Sequence, residues 1–273
     1  MSITERPPRP TSGPAAPTFL DVVRLEWTKA RTVPSTFLAL ALTLAIGIGL
    51  SALVSALASR EYAKDTAGVR ATWDPTGIST AGGSLAQLAV AVLATLVITA
   101  EYSTHEINVS LVAVPRRLRL LGAKATVVMV LAFVIGEVTL FSSFFLGMAL
   151  ISGHAPTASL GDPGVLRALI GGGLYVTLVA LLSLGLGTIL RGTAATISTL
   201  VAVLFVLPGI AAALPASWQD PILKYWPTQA GGQVATVVRV DHTLGPWTGF
   251  ADLAVFVTVV LLLAAVRLVR SDA

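Results

Sequence analysis

The sequence contains no cysteine, which excludes disulfides and thiolate metal ligands. Its three histidines, His105, His154 and His242, stand singly, so the clustered imidazoles of a metal site are missing too. Charged residues make up only 12% of the 273, and no polar block of a hundred or more residues is present that could fold as a separate soluble catalytic domain. No Gly-Lys pair occurs anywhere. A phosphate-binding loop needs that lysine at the β/γ-phosphates, so Gly171, Gly172 and Gly173 do not make one. These absences predict no catalytic residue, no metal and no cofactor bound by this chain, and any chemical energy it uses has to come from elsewhere.

What is present is apolar. Hydrophobic residues reach 55% and mean hydropathy is +0.83, far from a soluble domain. Six runs are long and apolar enough to cross a hydrocarbon core of about 30 Å as helices, roughly 35–57, 84–100, 125–151, 168–190, 194–214 and 249–266. An even number of spans puts both termini on one side. That side would hold twelve basic residues, including Arg24, Lys29, Arg116, Arg117, Arg119, Lys124, Arg191, Arg267 and Arg270, against six on the other. The positive-inside rule then predicts a multi-pass protein of the plasma membrane with both termini in the cytoplasm. The net charge of +4 reads as topology plus anionic lipid headgroups and calls for no nucleic acid.

Ahead of the first span, residues 1–18 are Pro-rich and lack apolar periodicity, which predicts a disordered cytoplasmic arm before a single membrane domain over 19–273. In "FLDVVRLEWTKARTV", Leu20, Val23, Trp27 and Ala30 recur at helical spacing, as expected of an amphipathic helix lying in the interface with Trp27 at headgroup depth. The "ALA" at 56–58 has the form of a signal cleavage site. The apolar run before it is too long for a signal segment, and some thirty residues precede that run. Within the first span Gly47, Ser51, Ser55 and Ser59 repeat every four residues, a stripe for close helix packing within the chain or between two copies. Pro208 and Gly209 predict a kink or an early end of the fifth span. Between 215 and 248, Trp218, Tyr225, Trp226 and Trp247 lie among four prolines, the composition of short helices anchored at the outer interface.

The most organised polar segment is "EYSTHEINVSLVAVPRRLRLLGAK", residues 101–124. Ser103 and Glu106 have the spacing of a capping box, so a helix is expected to restart there. Ile107, Leu111 and Val114 share one face, and Pro115 should end that helix and open the next. Beyond it Arg116, Arg117, Arg119 and Lys124 form a basic collar where the third span meets the membrane. A short amphipathic cytoplasmic helix with an apolar face and a rigid hinge suits docking into a groove on another protein.

The run 74–124, with "RLEWTKARTVPST" at 24–36 and "KYWPTQAGGQ" at 224–233, resembles permease subunits of the ABC type 2 exporter family, especially actinobacterial ones. The likeness is densest over about a fifth of the chain. It implies an all-α integral membrane protein with six transmembrane helices, an N-terminal interfacial amphipathic helix and a short cytoplasmic coupling helix. Residues Glu101, Ser103, Glu106, Ile107, Leu111, Val114 and Pro115 would make the coupling element that fits a cleft on a separate ATP-binding cassette ATPase subunit. Two permeases, as a homodimer or with a close paralogue, would pair with two ATPases, which would carry the ATP and Mg. His105 and Glu106 depart from the Gly-Thr usual in the family. The "AGGQ" at 230–233 superficially resembles the signature loop of the ATPases, but it falls on the outer side, away from nucleotide.

The residues admit three functions. The first is a permease moving a hydrophobic cargo, a lipid or antibiotic, since few polar residues face the expected interior. The second is a non-transporting scaffold or sensor whose cytoplasmic helix recruits a regulatory partner. A secondary transporter is disfavoured, because Glu137 alone lies deep in a span. Glu137 is expected to face a translocation path or dimer interface, or to be paired within the bundle, and to be protonated or bonded to a hydroxyl such as that of Thr139.

Overall fold

The computed structural model describes residues 17–103, 117–238 and 243–270. Among them, six helices are long and apolar enough to cross a membrane. They are α2 (Pro34–Glu61), α5 (Gly83–Ser103), α6 (Arg117–Ile151), α7 (Val165–Leu190), a broken helix from Thr193 to Ala212, and α12 (Pro246–Arg270). Between the first two spans lie the short α3 (Ala67–Ala71) and α4 (Pro75–Ser79). The described residues contain no strand, so the chain is an all-α multi-pass membrane protein. One end of the bundle, here the basal end, gathers the starts of α2 and α6 and the ends of α5, α7 and α12. The other is the distal end.

Ahead of the spans, α1 (Phe19–Thr32) is started by Thr18. The Asp21 N–H donates to Thr18 Oγ1 at 3.3 Å, and the Thr18 N–H donates to Asp21 Oδ2 at 3.0 Å, a reciprocal capping box. The Thr18 hydroxyl and N–H also hold the Asp21 carboxyl below the usual range. Val33 is extended and Pro34 opens α2, so the chain turns between the two helices. Residues 1–16 lie outside the described residues.

Lipid tails are as apolar as leucine, so close packing and polar bonds rather than the hydrophobic effect join helices here. The enclosed spine is α7, with 72% of its apolar window buried, set among α5, α6 and α12. By contrast only 17% of the α2 window is buried, and its Phe37, Leu38, Leu42, Leu53 and Leu57 face outward, as do Val255, Leu262 and Leu263 of α12. What α2 does bury is the small-residue stripe, with Thr43 extending it. A Cβ on Gly47 would overlap Thr139 of α6, Ser51 Oγ accepts from the Gly82 N–H at 3.0 Å, and Ser143 Oγ donates to the Gly47 carbonyl at 3.3 Å. The stripe therefore packs inside its own chain, against α4, α5 and α6.

The fifth span breaks one turn before its proline. After α8 (Thr193–Val201) comes a π-helical turn, Ala202–Val206, and then α9 (Leu207–Ala212). Pro208 lacks an N–H, so the Val203 carbonyl, five residues earlier in a π turn, loses its partner. The Trp226 indole supplies one, donating Nε1–H to that carbonyl at 2.9 Å. Trp226 lies between α10 (Ala216–Tyr225) and α11 (Pro227–Gly232), the short distal helices expected from the aromatic and proline content. Through the "AGGQ" run the chain presses onto its neighbours. A Cβ on Gly249 of α12 would collide with the Ala230 backbone, and one on Gly171 of α7 with Val234. The small residues there serve helix packing.

Candidate functional site

The chemistry of the chain is concentrated at the basal end, where α1 crosses the ends of α5 and α6. Val22 and Glu26, one turn apart on α1, point into the bundle and are 2% and 3% exposed. The apolar line of Leu20, Val23, Trp27 and Ala30 is a different face of α1, on which Leu20 is 64% exposed.

Facing Glu26 is Lys124, 1% exposed. Its Nζ donates to Glu26 Oε2 at 2.8 Å, to Glu101 Oε1 at 2.8 Å and to the Val97 carbonyl at 3.3 Å. All three ammonium hydrogens thus have acceptors. Lys29, one turn beyond Glu26, donates to the same Glu101 oxygen at 2.7 Å and lies 3.6 Å from Glu26 Oε1. Two carboxylates and two ammoniums, drawn from α1, α5 and α6, form one neutral cluster. Burial pulls the Lys29 ammonium down, but the Glu101 hydrogen bond and the Glu26 and Glu101 charges outweigh it and hold its pKa above that of ordinary lysine. Removing charges from water costs several kcal/mol per ion, which is offset here by the three hydrogen bonds of Lys124 and the shared Glu101 oxygen, while Glu26 Oε1 and Glu101 Oε2 accept none. The cluster therefore binds α1 to α5 and α6 strictly while its partners are complete.

This arrangement corrects the expected basic collar. Lys124 is buried instead of exposed in a collar, because seven residues after Arg117 it lies two turns further along α6, under α1. Arg117 Nη1 donates to the Leu268 carbonyl at 2.9 Å, filling one of the orphan acceptors at the end of α12, and Arg119 Nη1 donates to the Pro17 carbonyl at 3.1 Å, before α1. Arg116 lies outside the described residues. The helix that carries the third span is described from Arg117, ahead of the apolar run that begins near residue 125.

Of the predicted coupling residues, Glu101 is 6% exposed and engaged with the two lysines inside the bundle. Ser103 is the last residue of α5 rather than an evident helix start. Glu106, Ile107, Leu111, Val114 and Pro115 lie outside the described residues, as does His105. Glu26 carries no motif in the sequence. The one available signal was Val22, Glu26 and Lys29 at helical spacing on α1.

Beside the cluster, α7 ends at Arg191 in the left-handed conformation, φ 57°, with its N–H donating to the Gly187 carbonyl. The Arg191 guanidinium lies 5.3 Å from the centre of the Tyr102 ring, a cation–π contact that ties the end of α7 to the end of α5.

Glu137 sits mid-span on α6. Both carboxylate oxygens are buried and neither has a hydrogen-bond partner, and the side chain lies over Gly173 of α7, where any Cβ would strike it. Thr139, expected as its partner, donates to the Ile135 carbonyl at 2.6 Å and packs on Gly47. The carboxylate thus faces a glycine notch between two helices of its own chain.

No protein-family model matches the chain, and no curated protein matches it.

Proposed function

We propose that the chain is the membrane-spanning permease subunit of an ATP-driven exporter of the ABC type 2 kind, working with a second permease copy and separate ATP-binding subunits. The sequence resemblance over 24–36, 74–124 and 224–233 supports this reading. The observation that carries it is the Glu26–Lys124–Glu101–Lys29 cluster. It ties α1 to the two spans on either side of residues 104–116, so a displacement of that segment by an ATPase would move α5, α6 and α1 together. Hydrolysis, with its ATP and Mg, belongs to the partner, and the cargo is a hydrophobic molecule.

Charge supports the orientation. Among the described residues, Arg24, Lys29, Arg31, Arg117, Arg119, Lys124, Arg191, Arg267 and Arg270 lie at the basal end, against Arg60, Lys64, Arg70, Arg167 and Lys224 at the distal end. The basal end and both termini are therefore assigned to the cytoplasm of the plasma membrane. Single cysteines at Asp74, Asp162 and Gly245 should react with an impermeant thiol reagent outside intact cells, and one at Arg117 should not. The cysteine-free background makes the readout specific.

The function itself is tested by co-expressing the tagged chain with a candidate ATP-binding subunit and assaying ATPase activity after purification. The subunit should copurify, Leu111→Asp should release it, and Arg117→Ala should retain it. Retention at wild-type stoichiometry by Leu111→Asp, with transport intact, would favour a scaffold whose cytoplasmic helix serves another partner.

A further inference from the structure

We infer that the cleft beside the ion cluster is a binding site for an amphiphile with a primary ammonium head, held head-first against Glu26 and Glu101. The cleft has a volume of about 240 Å³ and opens between the α1–α2 turn and the ends of α5 and α6. A single water needs only about 10–15 Å³ on the same measure, so one bridging water does not fill it. Its two ends differ. Glu26, Lys29, Glu101 and Lys124 line the basal part, while Leu93 and Leu96 line the part toward the bilayer interior. Leu93 and Glu101 are eight residues apart on α5, about 12 Å at 1.5 Å per residue. A polar head at interface depth and an apolar tail running inward match that layout.

The unused valence of the cluster selects the head. All three hydrogens of the Lys124 ammonium are donated within the protein, whereas Glu26 Oε1 and Glu101 Oε2 are buried and accept no hydrogen bond. Lys29 approaches Glu26 Oε1 only to 3.6 Å. Both carboxylates are more than nine-tenths buried. Two open acceptors call for a head with several N–H bonds. A primary ammonium meets this, a trimethylammonium has no N–H to give, and an anionic head would add acceptors to acceptors. The site holds whether or not the chain works with an ATPase.

Such a head can come from a membrane lipid or from a free single-chain amine, and two arms separate them. In the first, the full chain is reconstituted in nanodiscs of equal phosphatidylethanolamine and phosphatidylcholine with matched acyl chains, and retained lipid is identified by native mass spectrometry. In the second, its melting temperature in non-ionic detergent is followed against dodecylamine and dodecyltrimethylammonium. Lipid as the source gives about tenfold enrichment of phosphatidylethanolamine. A free amine as the source gives no enrichment, but stabilisation by dodecylamine at about tenfold lower concentration than by the trimethyl analogue. In either case Glu101→Gln should weaken the preference. Leu96→Trp, which fills the tail region and leaves all four charges in place, should abolish binding without lowering the unliganded melting temperature. Equal behaviour of ammonium and trimethylammonium in both arms, or full binding by Leu96→Trp, overturns the site.

Discussion

The two ends of the bundle are fastened by different bonds. At the distal end side chains grip backbone. Arg167 donates to the Val234 and Thr236 carbonyls at 2.9 and 2.8 Å, Trp226 to Val203 at 2.9 Å, and the Trp73 indole to Pro156 at 2.8 Å. At the basal end Arg117 and Arg119 also grip backbone, but there charged side chains grip one another as well, with Glu101 Oε1 shared between Lys29 and Lys124. A backbone acceptor is fixed by its helix or turn. A carboxylate at the end of a side chain can exchange partners. The distal end is built to hold its shape, and the basal end is a joint whose strength depends on a complete set of charges.

Breaking the joint should have the largest effect. Lys124→Met leaves Glu26 and Glu101 buried without their shared ammonium, a loss of about 3–5 kcal/mol. It should appear as a large drop in the thermal midpoint of the detergent-solubilised chain. Lys124→Arg, which keeps the charge, should recover part of it.

The distal end should yield less. Arg167→Ala removes both hydrogen bonds to the 233–236 turn, at a cost of about 2 kcal/mol in the same melt. Trp226→Phe keeps an aromatic side chain but removes the indole N–H that bonds the π turn, a hydrogen-bond loss of about 1 kcal/mol. If these two variants destabilise more than Lys124→Met does, the contrast between the ends is reversed.

The smallest effect is one of pH. Lys29 has a folded-state pKa above its unfolded value of about 10.4. Its stabilising contribution is fully present below that value and is lost as pH rises through the folded pKa. Near neutrality that contribution should not vary with pH, so Lys29→Met should lower the melting temperature there by a constant amount. Above about pH 10.4 the wild type should lose stability that a Lys29→Met variant has already lost.

How much of this was readable beforehand follows from the kind of interaction. The six spans were legible because bilayer thickness imposes long apolar runs, and the α2 stripe because small residues four apart share a helix face. The break in the fifth span was legible as to cause but misplaced by a turn, since the carbonyl that Pro208 deprives lies earlier in the helix. Illegible was the joint. Hydropathy treats Glu26 and Lys124 as outward-facing residues, and only a fold that brings together positions 98 residues apart makes burying both tolerable. Glu137 was visible as a lone intramembrane acid, but its glycine notch on α7 was not, because no periodicity in α6 reports what α7 presents.

The central claim is that the ion cluster, rather than the apolar contact of Val22 alone, holds α1 to the bundle. The direct measurement is amide hydrogen exchange of the full chain in nanodiscs, comparing wild type with Lys124→Met. The account predicts that protection across Phe19–Thr32 collapses in the variant while that of Pro227–Gly232 at the distal end is unchanged. Protection of α1 at wild-type levels in Lys124→Met would contradict it.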